Sequence, residues 1–104
     1  MNLKGSLTLL ILNALAQGPS HGYRIAQDIK KNSKGVLDFK EGTLYPTLHN
    51  LEREELVETH TSAENGRVRK YYKLTKLGKQ TLAKELKAWQ DYVEAVNLNL
   101  ETDV

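Results

Sequence analysis

The chain has 104 residues, of which 39% are hydrophobic and 27% charged, and its formal net charge at pH 7 is +2. These values are typical of one ordinary globular domain and exclude a disordered or fibrous protein. The absence of cysteine excludes disulfides, zinc–thiolate sites, iron–sulfur clusters and cysteine nucleophiles, and it is compatible with the cytoplasmic location that we expect.

The first predicted element is a helix from Ser6 to Ala16, which Gln17-Gly18-Pro19 ends. Apolar residues, Leu7 and Ile11 among them, cover nearly its whole circumference, so it should be buried on more than one side. We expect one side to face the core and another to face a second subunit. The apolar run is too short to span a bilayer and lacks the features of a signal peptide, so we expect no contact with a membrane.

The second predicted helix has Ser20 as its N-cap and ends near Lys31, before a break from Asn32 to Gly35. Its 3.6-residue periodicity assigns four residues to the inward face. These are Tyr23, Ile25, Ala26 and Ile29.

After a short extended piece, a third helix should start between Glu41 and Thr43 and continue to about Glu55, with Pro46 tolerated in its first turn. On a helical wheel, one face forms a core stripe, which consists of Leu44, Leu48 and Leu51. The opposite face carries Gly42, Thr43, Pro46, His49, Asn50 and Arg53.

That outer face suits the reading of a DNA groove. An asparagine such as Asn50 can pair bidentately with adenine, and an arginine such as Arg53 can pair with guanine or phosphate. Gly42 and Thr43 are small and favour a close approach at the leading end of the helix. The alternative is an ordinary solvated helix face.

Residues 56–74 change to strand alternation on both sides of Asn65-Gly66, which predicts a β-hairpin with a two-residue turn. This turn pairs Val57 with Leu74 at the open end and Glu64 with Arg67 beside the turn. It brings both acids of one face opposite bases, which supports the register. The basic residues beside the turn suit contact with phosphates or the minor groove, and the alternative is an ordinary basic hairpin.

A final long helix, capped by Thr75, should extend to Asn97 or beyond. Apolar residues recur along it at alternating spacings of four and three, which indicates a heptad seam of the kind that pairs helices. The seam consists of Leu82, Leu86, Trp89, Val93, Val96 and Leu100. The sequence thus predicts a mainly α, α+β winged helix-turn-helix: residues 1–75 form three helices and a hairpin wing, and residues 76–104 form a long dimerisation helix.

Several motifs in this order closely resemble the PadR family of winged-helix transcriptional repressors, in its short-tailed branch. They are His21-Gly22-Tyr23, Gly42-Thr43-Leu44-Tyr45-Pro46-Thr47-Leu48, Leu51-Glu52 and Arg69-Lys70-Tyr71-Tyr72-Lys73-Leu74-Thr75, followed by Gly78. The match runs from about Leu7 to Trp89 or beyond. Val68 stands where the family often has a proline or an arginine.

The resemblance implies a homodimer with interlocking terminal helices that binds pseudo-palindromic double-stranded DNA operators and leaves them when an effector appears. Carried over by position, the DNA-facing residues of the helix-turn-helix are Tyr23, Thr43, Tyr45, Pro46, His49 and Asn50. The wing residues are Asn65, Gly66, Arg67, Arg69 and Lys70. From the apolar patterns we add Arg53 to the DNA face and assign Leu7, Ile11, Leu82, Leu86, Trp89, Tyr92, Val93 and Val96 to the dimer or effector surface.

Trp89 has two interpretations. On a heptad seam it would anchor the dimer core. Some short-tailed members of the family have a tryptophan at this place that lines a pore for flat aromatic drugs, and by that resemblance Trp89 and Tyr92 instead form a cleft for an aromatic effector. The effector could equally be a phenolic acid, another drug, a metal, or nothing at all.

Two other classes of function compete with this interpretation. An enzyme is disfavoured because His21, His49 and His60 lack metal-site spacing and the sequence has no Gly-rich phosphate loop, so we expect no catalysis, metal or cofactor. The stronger rival is a winged helix that binds proteins without specific DNA binding, since a fold does not fix a function.

Overall fold

A computed structural model of the chain describes the backbone of residues 3–101 and the side chains of residues 6–101. Its elements are α1 (Leu3–Leu15), β1 (Ser20–His21), α2 (Gly22–Asn32), α3 (Glu41–Arg53), β2 (Val57–Glu64), β3 (Arg67–Leu74) and α4 (Lys76–Glu101). The predicted boundary at residues 75 and 76 falls between β3 and α4. The outermost residues of the two predicted parts, 1–2 and 102–104, lie outside the described residues.

One hydrophobic core joins α1, α2, α3 and the open end of the hairpin. The most deeply buried side chains are Leu7, Ile11, Leu12, Ile25, Leu44, Leu48, Leu51 and Val57. Removing such a side chain from water stabilises the fold by roughly 1.5–3 kcal/mol. The predicted core stripe of α3 is therefore confirmed.

The start of α2 differs from the prediction. Ser20 is not the cap but lies in β1, a two-residue strand that the sequence did not predict and that pairs with β3. His21 is the N-cap, and its Nδ1 accepts a hydrogen bond from the backbone N–H of Arg24 at 3.2 Å. Tyr23 was predicted to point inward, but its side chain is 60% exposed because it lies on the outer side of the first turn of α2.

The position of Pro46 in α3 also differs from the prediction. Since α3 begins at Glu41, Pro46 is in the second turn and not in the first. Proline has no N–H to offer the carbonyl of Gly42, which is four residues earlier. The gap in the ladder lies on the exposed side of the helix, and the next turn is supported by the Thr47 hydroxyl, which donates to the carbonyl of Thr43 at 2.9 Å.

The hairpin has the predicted register at every pair from Val57–Leu74 to Glu64–Arg67. The turn residues Asn65 and Gly66 have φ values of 50° and 78°, as a two-residue turn matched to the twist of the strands requires. The tight turn thus fixes which wing residues share a face.

The last helix, α4, starts as predicted, since the Thr75 hydroxyl accepts a hydrogen bond from the N–H of Gly78 at 2.9 Å. Gly78 lies against the hairpin base: a Cβ there would be 2.0 Å from the backbone oxygen of Leu56. The close approach positions the first turn of α4 beside β3. From there the helix runs away from the core, and Leu82 is its last seam residue to pack against that core.

Candidate nucleic-acid interface

The exposed face of α3 contains Pro46, His49, Asn50 and Arg53, on the side opposite the buried leucines. The predicted strip is therefore a free surface of the chain. Thr43 and Tyr45 are half-buried beside it.

Two of the predicted base-reading side chains contact each other. Arg53 Nη2 donates a hydrogen bond to Asn50 Oδ1. Both side chains also line a shallow cleft of about 470 Å³ that reaches Thr8 of α1. This hydrogen bond orients the two side chains before a ligand arrives. Base contacts would exchange it for new hydrogen bonds.

The first turn of α2 lies beside α3 because Gly22 leaves room for Tyr45. A Cβ on Gly22 would be 2.7 Å from the Tyr45 ring and its hydroxyl oxygen. Exposed Tyr23 follows directly, so α2 adds an aromatic hydroxyl next to the α3 strip.

The wing presents its cations in three different settings. Arg67, beside the turn, is exposed, and Val68 next to it is 75% exposed. Arg69 is half-buried and folds back toward His21, with its Nη1 3.3 Å from Nε2 of that ring. Lys70 points toward α3.

Glu52 of α3 holds Lys70 of the wing. Its Oε1 accepts from the lysine ammonium at 3.2 Å, while its Oε2 accepts from the Thr59 hydroxyl at 3.1 Å. The hydrogen bond from Lys70 lowers the pKa of Glu52 and in turn raises the pKa of Lys70. The ammonium also lies 5.4 Å from the centre of the Tyr72 ring. The wing is thus fastened to α3 by a side-chain link, and Lys70 is less available to an incoming phosphate than the sequence predicted.

These three elements enclose one open cleft of about 320 Å³. Its lining residues are His21, Gly22, Tyr23, Tyr45, His49, Arg69, Lys70 and Tyr72. Seven of them were predicted site residues or lie in the quoted motif that opens α2, so the fold brings together residues separated by about fifty positions in sequence. A polar, cationic cleft beside an exposed helix face suits a sugar–phosphate backbone.

The predicted dimer and effector residues fall into two groups. Leu7 and Ile11 are 1% and 0% exposed in the single chain, so they belong to its own core and leave no surface for a partner. Their apolar character, which suggested a subunit contact, is explained by α2, α3 and the hairpin around them. The α4 residues form the other group, and there Leu86, Tyr92 and Val96 are exposed while Leu82, Trp89 and Val93 are half-buried.

His21 and Glu52 are the functional candidates that residue-by-residue prediction missed. Both were noted as parts of motifs, but their partners, Arg69 and Lys70, are 48 and 18 positions away. The hairpin register was predictable from the sequence. A search for residues that face the ends of the wing strands nearest the core would therefore have found both His21 and Glu52.

No helix over residues 3–101 has both the length and the apolar character needed to cross a bilayer. In that same stretch, no three histidine, aspartate or glutamate side chains gather as a metal site requires.

Three helices, a hairpin wing and an exposed polar face on the third helix define a winged helix-turn-helix protein, a fold that is typical of DNA-binding proteins. The chain belongs to the transcriptional regulator PadR-like family, whose model matches residues 11–84. It is therefore a DNA-binding transcriptional regulator and not an enzyme.

Known proteins support the assignment in sequence and in structure. The chain is 30% identical over 93 residues to the transcriptional regulator Rv3488 of Mycobacterium tuberculosis. These aligned residues cover 89% of this chain and 84% of that protein. It is similar to the PadR-like transcriptional regulator BC4206 of Bacillus cereus, with a TM-score of 0.85, 30% identity and 97% coverage of each chain. It is also similar to smu.1704 from Streptococcus mutans, with a TM-score of 0.86, 35% identity and coverage of 97% and 92%.

Proposed function

We propose that the protein is a homodimeric, sequence-specific repressor in the cytoplasm, which binds a pseudo-palindromic operator and is released from it by a small effector. The observation that carries the proposal is the exposed polar strip of α3 beside a cationic wing that the same fold holds in place. Residues 1–75 would read DNA and residues 76–104 would join the subunits.

In the proposed complex, α3 enters the major groove, with Asn50 and Arg53 as base readers and His49 on a base edge or phosphate. Thr43, Tyr45 and Pro46 line the leading half of the helix, and Tyr23 approaches the backbone from α2. An asparagine or arginine that pairs bidentately with one base contributes roughly 1–3 kcal/mol of discrimination. The support for these roles is twofold. Pro46, His49, Asn50 and Arg53 share one exposed face, and Tyr23, Tyr45 and His49 line one cleft.

The wing would follow the flanking backbone. Its tight turn at Asn65 and Gly66 extends Arg67 farthest from the core, whereas Arg69 and Lys70 stay near α2 and α3. Arg67 is therefore the better probe of a phosphate contact, because it is exposed beside the turn with Glu64 as its cross-strand neighbour, whereas Lys70 is hydrogen-bonded to Glu52.

Dimerisation is supported by the apolar stripe on α4. Val96 and Leu100 on this stripe are 38% and 74% exposed, so the described chain leaves apolar surface on the stripe open to solvent. A stripe with heptad spacing is the surface that a second copy of the same helix covers. Two copies would place two α3 helices about 34–36 Å apart, one turn of DNA, and so read both halves of a symmetric site.

An effector seat is proposed beside Trp89. A cleft of about 390 Å³ lies along α4 there, and the Trp89 and Tyr92 rings are 6.2 Å apart at an angle of 35°. In a dimer two such clefts would meet, and a flat aromatic molecule between them would change the spacing of the two α3 helices if it binds one spacing more tightly than the other. If Trp89 only packs the dimer core, aromatic compounds will leave operator affinity unchanged.

The proposal is tested by DNA binding at several salt concentrations, with duplexes selected by the protein from a random pool. We expect a selected duplex to bind with a dissociation constant that rises steeply with salt, because phosphate contacts release counterions. Asn50→Ala and Arg53→Ala should each weaken selected duplexes by roughly 1–3 kcal/mol and relax sequence preference, whereas Arg67→Ala should weaken all duplexes alike. Equal, weak binding to every duplex would instead favour a module that binds proteins.

A further inference from the structure

His21 lies at a junction of three elements, because it ends β1, caps α2 and pairs with Tyr71 of β3. Its Nδ1 accepts the N–H of Arg24 at 3.2 Å, so the neutral ring carries its proton on Nε2. Nη1 of Arg69 lies at nearly equal distances from the two ring nitrogens, 3.4 Å from Nδ1 and 3.3 Å from Nε2, so the guanidinium packs against the imidazole and does not hydrogen-bond to the protonated Nε2. One imidazole therefore contacts both the start of α2 and a cation of the wing.

We propose that His21 is a positioning residue for DNA binding, which holds the Arg69 guanidinium at the rim of the cleft between α2, α3 and the wing. The inference rests on the proposed DNA contact of the wing, since the orientation of Arg69 matters only if phosphate meets it there. An arginine held in one place loses less side-chain freedom when it binds than an arginine that must be ordered first.

The ring of His21 has charged and titratable neighbours on every side. Arg24 comes from α2, Arg69 and Tyr71 from β3, and Glu64 from the far end of β2. Tyr71 meets the ring edge-on at 5.5 Å, and its other face stacks on His60.

Burial, and then the two arginines, lower the pKa of His21, while Glu64 opposes them. The folded protein therefore favours the neutral ring. The contribution of the neutral His21 ring to the stability of the fold is complete above the ordinary pKa of 6.5. It is lost as the pH falls through the lower pKa of the folded protein. Protonation would turn the acceptor for the Arg24 N–H into a donor and set a positive charge against Arg69.

The two roles of His21 can be separated by substitution. His21→Asn keeps an N-cap acceptor, since asparagine is among the best N-cap residues, but it removes the ring that contacts Arg69. His21→Ala removes both. His21→Asn should therefore melt close to the wild type, whereas His21→Ala should melt lower.

The positioning role is measured by a double-mutant cycle on a duplex selected by the wild type. His21→Asn and Arg69→Ala should each weaken binding roughly 3- to 30-fold, and together they should weaken it little more than either alone, as for residues in contact. The matched control is Arg67→Ala, which has the same charge change on the same strand without the contact. Its effect should multiply with that of His21→Asn.

The same proteins give a pH profile that a purely structural cap would not give. The ratio of the dissociation constants of His21→Asn and wild type should stay constant above pH 6.5 and fall toward one as the pH is lowered through the depressed pKa of His21, because the wild-type ring loses its role when protonated. The general gain of DNA affinity in acid affects both proteins and cancels in the ratio.

The outcomes are distinct. If the wild type selects no sequence, the proposed function is refuted and this inference with it. If the wild type selects a duplex, two results would refute the positioning role alone. One is that the fold-change of His21→Asn multiplies with that of Arg69→Ala as it does with that of Arg67→Ala. The other is that the ratio of the His21→Asn and wild-type dissociation constants does not change with pH.

Discussion

Replacing Gly78 by alanine should destabilise the fold severely, although alanine is the better helix former. The added Cβ would lie 2.0 Å from the carbonyl oxygen of Leu56, about 1.4 Å inside the shortest ordinary contact of 3.4 Å, and 3.2 Å from Cδ2 of Leu74. The carbonyl cannot simply turn away, because it accepts the N–H of Thr75 at 3.1 Å. Overpacking of this kind costs about 1–3 kcal/mol or more, which exceeds the gain of about 1 kcal/mol in helix propensity.

Thermal unfolding at one fixed protein concentration measures this effect. For a domain of this size we expect Gly78→Ala to melt roughly 5–20 °C lower than the wild type. The matched control is Gly42→Ala, also in the first turn of a helix, where a Cβ meets nothing within 4 Å. It should melt at the wild-type temperature or slightly above. Equal melting of both variants would show that α4 does not press against the hairpin base as described.

The remaining predictions concern α4 and the wing. The double variant Val93→Asp with Val96→Asp should be monomeric by light scattering, because paired charges would enter an apolar seam. The control Ala88→Asp, on the opposite face, should leave the dimer intact. A native protein that is already monomeric would refute the two-half-site complex. Glu52→Gln should melt at a lower temperature than the wild type at neutral pH, and this difference in melting temperature should vanish as the pH falls below 4.5. The pKa of Glu52 is lowered mainly by its hydrogen bond with Lys70, so the stability that this bond contributes is lost when Glu52 is protonated. A difference that persists in acid would mean that packing, not charge, fastens the wing.

The hairpin could be predicted in full because its information is local. Asn65-Gly66 fixes the turn, the turn fixes the register, and the alternation then fixes the faces. The core stripe of α3 and the Thr75 cap were predictable for the same reason, since helical periodicity and capping residues act within a few positions.

What sequence reasoning missed depends on contacts between distant residues. The sequence favours Ser20 as the cap of α2, but Ser20 pairs with Tyr72, 52 positions away, and the cap is His21. The sequence predicts Pro46 in the first turn of α3. The helix starts at Glu41, however, so Pro46 lies one turn later. Leu7 likewise has the character of a subunit contact, and only the packing of the whole chain shows that it lies in the core.

In the proposed complex, the exposed strip of α3, with His49, Asn50 and Arg53, enters the major groove of DNA twice per dimer. Methylation interference on a selected duplex tests it most directly, since a methyl group on guanine N7 blocks the major groove alone. We predict two patches of interference about 10–10.5 base pairs apart, centre to centre, and loss of the strongest guanine signal with Arg53→Ala. A selected duplex whose binding is unaffected by methylation at any guanine N7 in its two half-sites would contradict the account.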